Sequence, residues 1–412
     1  MSRVVTVREH DSLAGSGLGD EDFAELRHFA RDVLKRVDGD IAASSYVGMV
    51  TTRRGSVLEI LPKIDLGEPD DTPLERTRHV FLDMLRTWRR LPAQLPYSDI
   101  RSMSRFPMLD VFVRQFLRML APIARNGLAR RYMNVEENLR YLRGRIAFGP
   151  HLRENASNRT RFYTSRDELS VNRPANRLIH TALNRLAPRV RNDANRRLLR
   201  EALAAFDGVP LSADANADWR AHHIDRSMNH YRPVMQWVGL FLFNRGLATF
   251  AGFNRNVSLL FPMEQVFEDF LVDAFRRHQQ RYAVVPHGPR SAMARIGDDP
   301  VFSTMPDIAL REGGEVRLIL DAKWKRVDAT TDDPKHEIHQ SDVYQLYAYA
   351  KRYRCEVVAL VYPRNEFFRR PLRYRFFDGV RLLAIPFDVT DPRSSVARAI
   401  GELGREVGDE PL

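Results

Sequence analysis

The sequence predicts a multidomain protein of the α/β (α+β) class. Two kinds of apolar pattern support this prediction. Helical periods extend over long segments such as 109–124 and 176–206, whereas short runs rich in β-branched and aliphatic residues, such as 57–61 and 316–320, indicate strands. A chain of 412 residues is also long enough for two or three domains with cores of their own.

The first predicted domain, residues 1–96, mixes helices and strands. Its elements follow in the order strand 4–8, helix 22–35, hairpin 46–64 and helix 74–88, with an acidic loop at 65–71. The two strands of the hairpin pair across a turn that contains Gly55. This pairing places Arg53 and Arg54 at an exposed tip.

The second predicted domain, residues 97–219, is mainly helical. The long amphipathic periods at 109–124 and 176–206 form its helices, and short strands at 140–145 and 162–165 lie between them. Residues 213–218 are small and polar, which is typical of a linker.

The third predicted domain, residues 220–412, opens with an apolar helix and continues as a mixture of strands and helices. The predicted elements are helix 233–250, helix 263–277, strand 281–285, strands 308–310 and 316–320, helix 341–352, and strands 355–362 and 381–387. The two strands in the middle of this series form a hairpin, because Gly313-Gly314 between them is a turn signal.

Two carboxylates and one lysine belong to this hairpin. A two-residue turn aligns Asp307 with Leu320, and one more loop residue aligns it with Asp321. Either register brings the two acidic side chains within reach of one ion. Strand alternation then puts Asp321 and Lys323 on the same face.

These residue types fit a metal-dependent phosphodiesterase. Carboxylate oxygens such as those of Asp307 and Asp321 are the ligands that Mg²⁺ prefers. A lysine with a depressed pKa, at Lys323, would orient or deprotonate the attacking water. Only six of the 64 basic residues are lysine, so the chain keeps lysine here although it uses arginine almost everywhere else. The alternative is an ordinary amphipathic hairpin with solvated charges.

Flanking helices supply three further candidates. Helix 263–277 carries Glu268 on a face that can point towards the hairpin, which makes Glu268 a third candidate metal ligand. On the helix that begins near Ser341, Gln345 and Tyr349 lie at i and i+4 and share one face. Their resemblance to an element that follows the catalytic lysine in some nucleases assigns both to the catalytic group.

The order of these elements resembles the core of the PD-(D/E)XK nucleases. Pro306, Asp307, Asp321 and Lys323 are similar to the motif of that superfamily. Gln345 with Tyr349 resembles the Q-x-x-x-Y element that follows the catalytic lysine in some of its branches.

A more specific resemblance extends from about Val4 to Phe387. Several motifs in the right order are similar to those of the McrC family, the nuclease subunits of modification-dependent McrBC restriction systems. These motifs are Tyr46-Val47-Gly48-Met49-Val50, Leu58-Glu59-Ile60-Leu61-Pro62-Lys63-Ile64, Leu142-Arg143-Gly144-Arg145-Ile146, Asp167-Glu168-Leu169-Ser170 through Asn176-Arg177, Phe267-Glu268-Asp269-Phe270 and Asp321-Ala322-Lys323-Trp324-Lys325.

The resemblance implies a function and two partners. It implies an endonuclease that uses Mg²⁺ or Mn²⁺, cleaves modified double-stranded DNA and stimulates a McrB-like AAA+ GTPase hexamer. Arg53, Arg54 and Lys63 are then the candidates for binding that partner. The chain itself is expected to bind no nucleotide, because the segment 15–19 lacks the lysine and hydroxyl of a P-loop.

Two other functions remain open at this point. The chain could be a catalytically silent scaffold that activates the GTPase, or a standalone DNA repair or junction nuclease. The intact carboxylate and lysine set favours catalysis. The sequence leaves open the modified base, the cleavage pattern, the stoichiometry with the motor, and the choice between GTP and ATP.

Composition agrees with a nucleic-acid partner without proving one. The net charge is +11 and the isoelectric point is about 9.9, which suits a polyanion, although arginine-rich coding is common. The single cysteine, Cys355, excludes an intramolecular disulfide. With no signal segment or apolar run long enough for a bilayer, we expect a cytoplasmic protein without a membrane partner.

Overall fold

The computed structural model describes most of the chain. The described residues are 3–13, 18–29, 34–37, 40–43, 46–52, 54–64, 74–91, 96, 103–243 and 258–408. They form two compact units, one built from the described residues up to Met108 and from Ser258 onward, the other from residues 109–243. The division into three domains at residues 96 and 219 stays a prediction.

Seventeen strands and eleven helices are present within the described residues. The strands are β1 Val4–Arg8, β2 Leu34–Val37, β3 Asp40–Ala43, β4 Tyr46–Thr51, β5 Val57–Leu61, β6 Arg131–Leu139, β7 Arg145–Ile146, β8 Phe162–Ser170, β9 Ser258–Pro262, β10 Ala283–Pro286, β11 Ser291–Ile296, β12 Asp299–Thr304, β13 Ile308–Glu312, β14 Glu315–Ala322, β15 Val357–Pro363, β16 Leu372–Arg375 and β17 Arg381–Phe387. The helices are α1 Asp20–Phe29, α2 Leu74–Thr87, α3 Met108–Asn126, α4 Phe148–Asn155, α5 Pro174–Leu186, α6 Asp193–Ala205, α7 Ala215–Ala221, α8 Arg232–Phe243, α9 Met263–His278, α10 Gln340–Tyr353 and α11 Pro392–Val407.

A six-stranded mixed sheet dominates the first unit. Its strand order is β10-β13-β14-β15-β17-β16, and the β14–β15 and β15–β17 pairs are parallel while the others are antiparallel. The central strand β15 reads as a continuous apolar run because both of its faces are covered. Helix α10 packs on β14 and β15, and its Leu346 is fully buried with Val358 and Leu360. This packing places α10 beside β14, the strand at whose end the candidate site lies.

A four-stranded sheet, in the order β1-β5-β4-β9, completes the first unit. The predicted hairpin is confirmed, since β4 pairs antiparallel with β5. On its other edge β4 pairs with β9, which directly precedes α9. Gly48 is required for this second pairing, because a Cβ there would lie 2.0 Å from the carbonyl oxygen of Leu259 and its φ is +142°.

A buried ion pair ties this sheet to α2. Glu59 on β5 is fully buried and accepts hydrogen bonds from the Arg78 guanidinium, from Thr6 Oγ1 at 2.9 Å and from the Met108 N–H at 2.8 Å. Arg78 also donates to the Ser104 carbonyl at 2.6 Å. Because every charged group has partners, the pair is tolerated in the interior.

The second unit is largely helical and carries a small sheet of order β6-β8-β7. Asn192 caps α6 by accepting from the Asn195 N–H at 3.0 Å, and Asp214 caps α7 in the same way. The carboxylate of Asp110 on α3 accepts hydrogen bonds from the Arg191 and Asn192 N–H groups, which fixes the start of α6 on α3.

Several predicted elements are wrong in extent or type. Helix 22–35 ends at Phe29, and Leu34 and Lys35 belong to β2. Helix 176–206 is two helices, because a short 3₁₀ turn containing Pro188 ends α5 and Asn192 starts a new helix. Most of the predicted linker 213–218 is helical, since α7 begins at Ala215 and the Asp214 cap outweighs the polar composition.

Other differences concern strands. The predicted strand 140–145 is wrong, because β6 ends at Leu139 and only Arg145 and Ile146 of β7 pair with β8. Pairs β11–β12 and β2–β3, strand β16 and helix α11 were not predicted. The acidic loop 65–71, residues 15–17 and the helix predicted beyond Phe243 lie outside the described residues. Among the described helices none is long and apolar enough to cross a bilayer.

The buried ion pair gives a stability prediction. Arg78→Ala leaves the Glu59 carboxylate buried without its partner, so we expect a loss of roughly 3–5 kcal/mol in the free energy of unfolding. Arg86→Ala removes the half-exposed ion pair with Asp83 on the same helix and should cost less than about 1 kcal/mol. Chemical denaturation monitored by circular dichroism measures both. Equal losses would show that the buried pair contributes no more than a surface pair.

Candidate active site

The hairpin register places Asp307 opposite Asp321. Strands β13 and β14 pair Glu312 with Glu315 across the Gly313-Gly314 turn, but the register shifts at Leu310/Arg311, so that Ile308 pairs with Leu320. One step further aligns the two aspartates. The extra residue that this alignment needs therefore lies in the strand as a β-bulge, and the turn itself keeps two residues.

Backbone groups hold Asp307 on both sides. The Ala322 N–H donates to its Oδ2 at 2.8 Å, and the His287 N–H, just beyond β10, donates to its main-chain oxygen at 2.8 Å. Burial, together with the nearby charges of Asp321 and Glu268, raises the pKa of Asp307 to about 8. The site therefore favours the protonated form of this carboxyl, because burial and the neighbouring carboxylates disfavour a further negative charge.

Asp321 is the more deeply buried carboxylate. It is fully buried at the end of β14, where it pairs with the ammonium group of Lys323. Apart from that ion pair, no described residue donates a hydrogen bond to either of its oxygens. Burial raises the pKa of Asp321, although Lys323 opposes the shift.

A chain of hydrogen bonds fixes Lys323. Its Nζ donates to Gln345 Oε1 at 3.2 Å, Gln345 Nε2 donates to the Tyr349 hydroxyl at 2.8 Å, and that hydroxyl donates to the Met305 carbonyl at 3.4 Å. The structure thus brings the predicted lysine, glutamine and tyrosine together. The i, i+4 spacing on α10 aligns Gln345 and Tyr349 along one face.

The expected pKa of Lys323 is wrong in direction. Burial lowers the pKa, but the carboxylates of Asp321, Asp307 and Asp342 outweigh burial and raise the pKa above its ordinary value. Lys323 is therefore an ammonium group in this arrangement. It can donate hydrogen bonds to a water or a phosphate oxygen, but it cannot accept a proton.

Glu268 belongs to the same electrostatic cluster. Its carboxylate lies 2.8 Å from Nδ1 of His287, which has a left-handed φ of +52°. Burial raises the pKa of Glu268, His287 opposes that shift, and Asp269 and Asp321 add to it. Sequence reasoning missed His287, because a lone histidine before Gly288 carries no motif.

A second lysine pair was also missed. Lys325, two residues after Lys323, donates from Nζ to Oδ2 of Asp342 on α10 at 2.8 Å. Asp342 is itself buried, and its charge contributes to raising the pKa of both Asp321 and Lys323. The sequence could have indicated this pair, because Asp321, Lys323 and Lys325 alternate and therefore continue one polar face beyond the end of the strand.

The carboxylates fit a small divalent cation. Among the described residues, no three histidine, cysteine, aspartate or glutamate side chains form a ready-made metal cage. Mg²⁺ does not require one, since it keeps several waters and binds through one or two carboxylates. The buried Asp321 oxygens that lack hydrogen-bond donors, next to Asp307, meet that requirement. Glu268 contributes charge nearby.

The residues predicted to bind a partner lie elsewhere. Arg54 lies in the β4–β5 turn, where its exposed guanidinium pairs with Glu21. Arg53 lies outside the described residues. The Lys63 side chain is exposed just after β5, while its N–H donates to Oε1 of Glu9 at 3.0 Å.

These features define an α/β protein with an acidic, lysine-containing site at one end of a six-stranded mixed sheet. Residues 41–363 match a sequence family described as McrBC 5-methylcytosine restriction system component. Because the match covers more than half of the chain, the protein belongs to the McrBC family and is a component of a restriction system of that kind. The family resemblance inferred from the motifs is confirmed.

One solved structure shares the fold over nearly the whole chain. The chain is similar to one in the refined half-complex from a tetradecameric assembly of Thermococcus gammatolerans McrB AAA+ hexamers with bound McrC. The TM-score is 0.66 and the identity is 20%, and the match covers 97% of this chain and 100% of that chain. A chain of the cryo-EM structure of the Thermococcus gammatolerans McrBC complex matches with a TM-score of 0.49 and 21% identity over 68% of this chain and 89% of that chain. No curated protein matches.

The carboxylate pair predicts a metal-dependent gain in stability. At about ten times its dissociation constant, Mg²⁺ should stabilise the protein by about 1.4 kcal/mol, because it binds the folded state and relieves the repulsion between Asp307 and Asp321. Asp321→Asn should abolish the accompanying rise in unfolding temperature. Asp378→Asn, at an exposed carboxylate that pairs with Lys351, should keep it. Scanning calorimetry with and without EDTA measures the effect, and an unchanged rise in the Asp321 variant would remove Asp321 from the ion site.

Proposed function

We propose that this protein is a metal-dependent DNA endonuclease subunit that works with a McrB-type AAA+ GTPase. The observation that carries the proposal is the meeting of Asp307, Asp321 and Lys323 at adjacent strand ends, with Lys323 held by Gln345. Two carboxylates with raised pKa values beside a fixed ammonium group are costly to maintain. Such groups are typical of catalytic sites.

The order of elements supports a PD-(D/E)XK core. Helix α9 is followed by strands β10, β13 and β14, by helix α10 and by strand β15, which is the layout that the sequence motifs resemble. The β11–β12 hairpin is an insertion between β10 and β13. Asp307 directly precedes β13, Asp321 lies near the end of β14 and Lys323 follows that strand, an order that supports their assignment to the catalytic positions of the motif.

The roles of the residues follow from their positions. Asp307 and Asp321, with Glu268 in support, would hold Mg²⁺ or Mn²⁺, which supplies charge neutralisation at the scissile phosphate and a more acidic water. Lys323 donates hydrogen bonds towards the space beside Asp321, where it orients a water or stabilises a phosphate oxygen. Gln345 and Tyr349 restrict the lysine to that direction.

The proposed partner follows from the family and from the solved complex. In that complex a McrC chain is bound to McrB AAA+ hexamers. We infer that this chain contacts a similar hexamer through the tip of the β4–β5 hairpin and through Lys63. The net charge of +11 supports contact with DNA, and the family description points to DNA that contains 5-methylcytosine.

Substitution of the three central residues tests catalysis. Asp307→Ala, Asp321→Ala and Lys323→Ala should each lower cleavage of methylated DNA by roughly 100-fold or more, in the presence of the partner, GTP and Mg²⁺, because each removes charge that acts at the transition state. Lys323→Arg should also fail, since guanidinium has a different shape and hydrogen-bonding pattern. Stimulation of the partner's GTPase should persist in all four variants.

A matched control uses another lysine of the same unit. Lys351→Ala removes an exposed ammonium group that pairs with Asp378, so cleavage should stay at the parental rate. Parental activity in the Asp321→Ala protein would show that the active site lies elsewhere. Cleavage of unmodified DNA without the partner would instead favour a standalone nuclease.

The hairpin tip has its own test. Arg53→Ala/Arg54→Ala should lower stimulated GTP hydrolysis more than it lowers DNA affinity, because positive charge at the tip would pair with acidic groups of the ring. Glu21→Ala is the matched control, since it removes the intramolecular partner of Arg54 but keeps both arginines. GTPase assays and fluorescence anisotropy with labelled DNA separate the two effects. Full stimulation by the double variant would exclude the tip from the mechanism.

A further inference from the structure

A buried carboxylate outside the candidate active site contacts the strand end that carries Lys323. Glu9 lies just after β1, and only 3% of its surface is exposed. The indole Nε1 of Trp324 donates to both of its oxygens, at 2.9 and 3.1 Å, and the Lys63 N–H donates to Oε1 at 3.0 Å. The bonds from the indole join residues that are 315 positions apart in the chain.

Trp324 lies next to the strand end that carries Lys323 and contacts the helix that carries Glu268. It directly follows Lys323, whose N–H donates to the Val361 carbonyl at 2.9 Å. Its buried indole packs edge-on against Phe267, with ring centroids 5.3 Å apart, and Phe267 directly precedes Glu268 on α9. Trp324 is therefore adjacent in the chain to the lysine, and its indole contacts the residue next to the glutamate.

The Glu9 carboxylate is held in surroundings that disfavour its charge. Burial raises the pKa of Glu9 to about 7, against the opposing effects of the Lys63 N–H, the Trp324 indole and the Lys63 charge, while Asp11 adds to the rise. An apolar side chain of similar volume would avoid the cost of burying a carboxylate, but it would leave the Trp324 and Lys63 N–H groups without this acceptor. Glu9 therefore serves to hold these two donors and does not only fill space.

We propose that Glu9 is a positioning residue for the cleavage reaction, which acts through Trp324 to fix the strand end at Lys323 and the start of α9 near Glu268. This inference rests on the proposed nuclease function. It assigns no direct contact with DNA or metal to Glu9. Its effect should appear in the rate of the chemical step and not in the affinity for DNA.

Three substitutions separate hydrogen bonding from packing. Trp324→Phe removes the donor but keeps a ring, and Glu9→Leu removes the acceptor but fills the space. Glu9→Gln keeps one oxygen, which can accept from both the Trp324 indole and the Lys63 N–H, as Oε1 does in the parental protein. We expect the first two to lower the single-turnover cleavage rate about tenfold, as is typical when a supporting residue is lost. The combined variant should be no slower than either, and Glu9→Gln should stay close to the parental rate.

Trp88→Phe is the matched control. Trp88 is also buried in the first unit, where its indole packs edge-on against Phe261. This change should lower stability without changing the cleavage rate. DNA affinity, measured by anisotropy, should be unchanged in every variant.

Hydrogen exchange gives a readout that does not require activity. In Trp324→Phe and Glu9→Leu, the peptide that contains residues 321–325 should exchange faster than in the parental protein, and in Glu9→Gln it should not.

The pH dependence of unfolding gives a second readout that does not require activity. Since the folded-state pKa of about 7 exceeds the ordinary value of 4.5, wild type loses stability relative to Glu9→Gln as the pH rises from 4.5 through about 7.

The outcomes distinguish this proposal from the proposed function. Parental cleavage rates in both Trp324→Phe and Glu9→Leu would overturn the positioning role, as would an equal slowing in Trp88→Phe. If the parental protein cleaves no DNA with its partner, GTP and Mg²⁺, the nuclease function fails. The role of Glu9 in cleavage then fails with it, and hydrogen exchange tests separately whether Glu9 and Trp324 fix the strand end. Unchanged exchange at residues 321–325 overturns that positioning.

Discussion

The β-bulge at Leu310/Arg311 is the constraint on which the candidate site depends. Without it, the two-residue turn would align Asp307 with Leu320, and the two aspartates would not lie opposite each other. A shift of one residue in a strand also moves side chains to the other face, so the position of the bulge decides where the carboxylates point. The parallel pairing of β14 with β15 then fixes Asp321 within the interior of the sheet.

The apolar sheet makes the charged cluster possible. Asp307, Asp321 and Glu268 all have raised pKa values, and burial is the largest cause in each case. Such a cluster opposes folding, and the buried apolar residues of β14, β15 and β17 with their covering helices provide the compensating burial of apolar surface. The same low-polarity surroundings strengthen the interaction of the carboxylates with any cation that binds there.

The elements around the candidate site could be predicted from the sequence, because apolar periodicity specifies β13 to β15, α9 and α10. The i, i+4 rule also pairs Gln345 with Tyr349. The β-bulge could not be predicted, since the Gly313-Gly314 turn is compatible with either register of the hairpin. The Trp324 bond to Glu9 joins distant segments and leaves no local pattern. The direction of the Lys323 pKa shift also required the structure, because it depends on three carboxylates whose distances the sequence does not specify.

The first unit connects its four-stranded and six-stranded sheets at both sides of the site. Strand β9 pairs with β4 of the amino-terminal hairpin and continues directly into α9, which carries Glu268. Glu9, just after β1, holds Trp324 beside Lys323. A displacement of the amino-terminal sheet would therefore be transmitted to the glutamate through the covalent chain and to the lysine through a buried hydrogen bond. The hairpin cannot be treated as independent of the carboxylates, because its strands and the candidate catalytic residues belong to one packed unit.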